Sequence, residues 1–124
     1  MGADFGYIGS AFIATKEANA DQAYKQMVVD CDANDIVYSD YFTGVSGNYL
    51  KPSIEAAGMD PNDLPKGDIA AMQKLTDQES DAKAWKDIWG CGQGIGAIDE
   101  IQSVADRVAK LKREYAAAKA RLNS

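Results

Sequence analysis

The sequence predicts a mainly helical α+β domain, and three observations carry that expectation. Apolar residues recur at steps of three and four in two stretches, 20–28 and 101–115, which puts each set on one helix face. Only two short runs, residues 5–8 and 36–42, have the aromatic and β-branched composition of strands. The length of 124 residues is one domain's worth of chain.

In order along the chain, Phe5, Gly6, Tyr7 and Ile8 read as a short, fully buried strand that ends at Gly9. Residues 10–15 are a tight apolar link. Asn19, with Gln22 three residues later as a capping-box variant, starts a helix that runs to about Asp30. Its inner face carries Ala20, Ala23, Tyr24, Met27 and Val28. After a polar break at 32–35, residues 36–42 form the second strand and 43–48 a loop. Pro52 and Gly58 bracket a short helix, because proline suits a first helical position and glycine the position after the last. Residues 59–65 are coil, and 68–75 and 79–85 read as two weaker helices, with Thr76 or Asp77 able to cap the second. Four glycines between Gly90 and Gly96 make a close-approach loop. Ile101, Val104, Val108, Leu111 and Tyr115 define the longest helix, about 100–121, which spans roughly 30 Å at 1.5 Å per residue. The two strands are expected to pair with each other or with a second copy.

Composition narrows the chemistry. Nineteen acidic against 13 basic residues give a net charge of −6, which excludes the basic footprint that duplex nucleic acid requires. The chain contains no His, so a Ser-His-Asp triad, an HExxH centre and a Cys/His zinc site are closed, and no metal ligand set is apparent. Cys31 and Cys91, 60 positions apart, are expected as free thiols. No stretch has the 18–20 apolar residues of a membrane span, and the opening Gly-Ala-Asp is not a secretory leader; a soluble, cytoplasmic protein is expected. A complete eight-stranded α/β barrel of about 250 residues does not fit. Residues 106–124 carry a charge of +4 against −10 for the remainder; Lys119 and Arg121 suit the negative end of a helix dipole without any ligand.

Two segments could hold a ligand. At Gly9-Ser10, a residue without Cβ lets backbone N–H groups approach an anion and a hydroxyl adds a hydrogen bond, as at a phosphate. The plainer reading is a tight strand exit. Around Gly92, Gln93 and Gly94 the glycines approximate a dinucleotide fingerprint, but Ala97 stands where the third glycine belongs and no strand precedes it. That reading is rejected, leaving either a glycine-rich lid with Gln93 as a polar contact or a turn between helices. Cys91 has no basic residue nearer in sequence than Lys86 to activate it and reads as a packing residue. Trp85 and Trp89, four apart, read as core. Asp30 with Asp32, and Asp99 with Glu100, read as surface acids or helix starts, with no acid/base role.

Four blocks taken together resemble the C-terminal part of the nitronate monooxygenases, the FMN enzymes formerly called 2-nitropropane dioxygenases. They are Gly2-Ala3-Asp4-Phe5-Gly6-Tyr7-Ile8-Gly9-Ser10-Ala11-Phe12-Ile13-Ala14-Thr15, Ala23-Tyr24-Lys25-Gln26, Phe42-Thr43-Gly44, and the run from Trp85 to Gly96. The resemblance covers essentially the whole chain. It implies a C-terminal fragment of an FMN-binding (β/α)8 TIM barrel: residues 1–15 as the last strand and phosphate turn, and 16–124 as the helical region. It implies further that Gly9 and Ser10 contribute to the FMN phosphate site and that Gly92, Gln93 and Gly94 lie toward the flavin or substrate. The family oxidises alkyl nitronates with O2 using a histidine base, and that base and seven strands have no counterpart here. The expectation is therefore a flavin oxidoreductase portion that is inactive alone, with no catalytic residue of its own, completed by a homo-oligomer or a complementary barrel portion. The alternative is a self-associating or partner-binding helical module without catalysis.

Overall fold

The computed structural model describes residues 2–67 and 86–124. Among these, four helices and one two-stranded sheet make a mostly helical unit: α1 (Ser10–Ile13), α2 (Gln22–Asp30), β1 (Ile36–Ser39), β2 (Gly47–Leu50), α3 (Lys51–Ala56) and α4 (Val104–Leu122). Two 3₁₀ turns, Ala33–Asp35 and Gln93–Ala97, complete it. The helical stretches expected at 68–75 and 79–85 lie outside the described residues, as does Trp85.

Each helix is delimited by local chemistry. The N-cap of α2 is Asp21, whose carboxylate accepts from the Ala23 N–H at 2.8 Å, so the start lies two residues beyond the expected Asn19. Pro52 sits in the first turn of α3, and Gly58, at φ +84°, takes the left-handed conformation that ends it. Ser103 caps α4, with its Oγ accepting from the Asp106 N–H, while the Glu17 carboxylate accepts from the Val104 N–H at 2.9 Å.

Three strand expectations are corrected. Residues 5–8 form no strand: Phe5 is 93% and Tyr7 104% exposed, because no neighbouring strand among the described residues supplies a ladder or covers the aromatic side chains. Residues 36–42 are a strand only to Ser39. The true partner, β2, begins within the expected loop at Gly47 and runs two residues past it, pairing antiparallel with β1 in the register Ile36↔Leu50 to Ser39↔Gly47. The link at 10–15 begins as a helical turn, α1, and Thr15 beyond it makes a parallel bridge with Gln102, just before α4.

The core sits between α2, the end of β2 and the second 3₁₀ turn. Ala14, Val28, Leu50 and Ile95 are fully buried, with Cys31 and Ile98 beside them. Ile54 on α3 is also fully buried. Among the described residues no helix is long and apolar enough to cross a membrane.

Candidate functional site

The two ligand-holding segments read from the sequence meet in space. Ser10 opens α1, and its Oγ accepts the Gly92 N–H at 2.7 Å across 82 positions. A Cβ on Gly92 would stand 3.4 Å from that oxygen, in van der Waals contact with it. The Ser10 hydroxyl keeps its own proton to donate. At Gly9 and Gly94 a Cβ would meet nothing within 4 Å, which leaves both backbones open to an approaching group.

These residues line a cleft of about 310 Å³. Tyr7 and Ile8 line it together with Arg107, Lys110, Leu111 and Glu114 of α4. Gly92 and Gly94 belong to this cleft, whereas Gln93 does not: its exposed side chain belongs to a shallow depression with Asp32, Ala33 and Asn34. The 3₁₀ turn rotates successive side chains apart, so Gln93 faces away from the cleft that Gly92 and Gly94 line.

Arg107 and Lys110, to which the sequence reading assigned no role, bring positive charge to the cleft. Arg107 is only 3% exposed; its Nη2 donates to the Glu100 carbonyl at 2.9 Å. Its Nε is buried with no partner among the described residues. Lys110 pairs with Asp99 at 3.0 Å, and the hydrogen bond it donates holds the Asp99 carboxyl below the usual range. The spacing of Arg107, Lys110, Leu111 and Glu114 is the three- and four-residue step of one helix face, the signal by which that face could have been found.

A second cleft, about 240 Å³, gathers residues from three blocks that the sequence presents separately: Tyr24, then Phe42 and Thr43, then Trp89 and Gly90, together with Tyr49 and Ile88. The Tyr24 ring stacks on Trp89 with centroids 5.0 Å apart, and its hydroxyl donates to the Gly90 carbonyl. Burial, and to a lesser degree neighbouring Cys91, push the Tyr24 hydroxyl up to about 12. The Cys91 thiol is pushed up to about 11, by burial first and by Cys31 second. These values leave both groups protonated near neutrality and unsuited to proton transfer there.

No family model matches the chain, and no curated protein matches it. A solved structure does: a mutant of FabK from Thermotoga maritima, with a TM-score of 0.58 and 20% sequence identity, over 93% of this chain and 35% of the FabK chain. The likeness is one of fold. The chain spans about a third of the length of that neighbour.

Proposed function

We propose that this chain is a portion of an FMN-dependent oxidoreductase of the nitronate monooxygenase kind, and that the Gly9-Ser10 turn receives the phosphate end of the flavin. The observation that carries the reading is the hydrogen bond from Gly92 to Ser10, which joins two separately chosen segments beside the cationic groups of α4. For a phosphate monoester the cleft offers a hydroxyl, backbone left open at Gly9 and Gly94, and the charges of Arg107 and of Lys110, which pairs with Asp99, on an α4 face that also carries Glu114. Bound flavin would supply the two-electron chemistry on a small nitronate. This chain would bind and orient the phosphate end, in a cytoplasmic setting, while the catalytic base and the remaining walls would come from a complementary barrel portion. In that reading residues 1–15, which carry the Gly9-Ser10 turn, and residues 16–124 are parts of one domain.

The test is an amide-resolved NMR titration with FMN, using riboflavin, which lacks the phosphate, as the control. Saturable shifts at Gly9, Ser10, Gly92 and Gly94 with FMN, absent with riboflavin and lost in Gly9→Val, are expected. No shift at these amides up to about 10 mM FMN, where even millimolar affinity registers, overturns the reading.

A second reading is a docking module without catalysis, favoured by the exposure of Phe5 and Tyr7. Light scattering separates the two. Concentration-dependent assembly that Tyr7→Ser abolishes, without any FMN-induced shift, selects the docking module.

A further inference from the structure

We propose that the exposed half of α4 is a self-recognition helix, which pairs in parallel with α4 of a second copy of this chain through Val108, Leu111, Tyr115, Ala118 and Leu122. Apolar or small residues stand along α4 at 104, 108, 111, 115, 118 and 122, in alternating steps of four and three. That is a seven-residue repeat, with Val108, Tyr115 and Leu122 at its first position and Val104, Leu111 and Ala118 at its fourth. A strict repeat of seven drifts slowly around a straight helix, so it lays a narrow seam that a partner follows by winding left-handed around it.

The body of the chain uses only the beginning of this seam. Arg107 is turned inward, buried with its Nη2 on the Glu100 carbonyl, and Leu111 lines the first cleft. Beyond Leu111, α4 continues for about three turns. There, nothing among the described residues covers the seam: Tyr115 is 72% and Leu122 86% exposed, and Val108, one repeat earlier, is 36% exposed. A helical stretch of that length is marginal in water even when rich in Ala, and a second helix supplies the packing from which most helices draw their stability.

The charges beside the seam select the occupant and its direction. In a parallel pair, the seventh position of one helix faces the fifth position of the next repeat of the other. Glu114 then meets Lys119 of the second copy, and two-fold symmetry makes the contact twice. Arg107, which would face Lys112 in the same way, is held in its own body and leaves Lys112 to water. In an antiparallel pair like positions face each other, so Lys112 would stand opposite Lys119 of the second copy twice, offsetting what Glu114 gains from Arg121. Ala118 is small enough to let the helix axes approach, and Tyr115 buries its ring while its hydroxyl reaches water at the rim. Because both copies use the same patch, the contact closes on a dimer. Fewer than three repeats overlap, which places it at the small, transient end of protein interfaces.

The test is analytical ultracentrifugation of the whole chain from about 10 μM to about 1 mM, where a weak dimer registers. A reversible monomer–dimer equilibrium is expected. Tyr115→Ser, at a position exposed in the lone chain, should leave the circular dichroism unchanged and weaken the dimer roughly a hundredfold. Glu114→Lys should weaken it about tenfold, and adding Lys119→Glu should restore it, a recovery that only facing charges produce. With oxidised glutathione, Leu122→Cys should give a peptide joining position 122 of two copies, which only the parallel direction brings within disulfide reach. A monomer throughout the range, a dimer indifferent to Tyr115→Ser, no recovery in the doubly substituted chain, or absence of the joined peptide would each overturn the pairing. So would a dimer that Tyr7→Ser abolishes and Tyr115→Ser spares, which places residues 5–8 at the interface instead. The readouts involve no flavin, so they stand or fall separately from FMN binding.

Discussion

Residues 5–8, Phe-Gly-Tyr-Ile, and residues 95–98, Ile-Gly-Ala-Ile, share a pattern of apolar ends around a glycine and meet opposite fates. Phe5, Tyr7 and Ile8 are 93%, 104% and 48% exposed, whereas Ile95 is fully buried and Ile98 nearly so. The difference is not in the segments but in what stands beside them. Ile95 and Ile98 join the cluster of Val28, Cys31 and Leu50, contributed by α2 and β2. Residues 5–8 have the cleft toward α4 on one side and no ladder partner among the described residues. Apolar composition states a demand for cover; the rest of the fold decides whether it is met.

Substitutions put that comparison at risk, beginning with the largest expected effect. Ile95→Ala should cost about 2–5 kcal/mol in urea denaturation, because it removes buried methylenes and leaves a cavity among Val28, Leu50 and Ile98. Ser10→Ala, which takes the acceptor from the Gly92 N–H where α1 meets the glycine-rich turn, should cost about 1 kcal/mol. Tyr7→Ser should change stability by less than about 0.5 kcal/mol, as expected of a side chain that loses no cover on unfolding. A loss near that of Ile95→Ala would show that residues 5–8 are covered in solution and would collapse the contrast.

The smallest effect concerns Asp99. Its carboxyl is lowered by the hydrogen bond from Lys110, so its contribution is present above the unfolded carboxylate pKa, near 4, and is lost as pH falls through the lower folded value. Asp99→Asn should lower stability slightly above about pH 6 and leave it unchanged at pH values below the folded carboxyl's pKa, so the acid limb of the profile flattens. An equal change at neutral and acid pH would point to a packing role instead.

The helices were legible because their signals are local. Steps of three and four, Pro52 at a start and Gly58 at an end act within a turn or two, and α3 and α4 lie close to their expected positions. The strand β2 was hidden: Gly47 and Asn48 read as turn residues, and only pairing with Ser39 and Tyr38, eight and ten positions upstream, makes them extended. Residues 5–8 were misread for the converse reason, strand composition without a partner. For the site, Gly9, Ser10 and Gly92 were each visible from residue type. Their meeting, and the charged wall of Arg107 and Lys110, depend on where α4 lies, which no local pattern states.

The stacked pair of Tyr24 and Trp89 gives the molecule its own optical gauge. Trp89 donates its indole N–H to the Lys86 carbonyl at 2.9 Å and lies nearly parallel to the tyrosine ring, at 14°. Its emission therefore reads the position of the glycine-rich turn against α2 without any attached dye. As Tyr24 ionises near 12, the tyrosinate should draw off that emission, so the quench marks how long the two rings stay together in strong base.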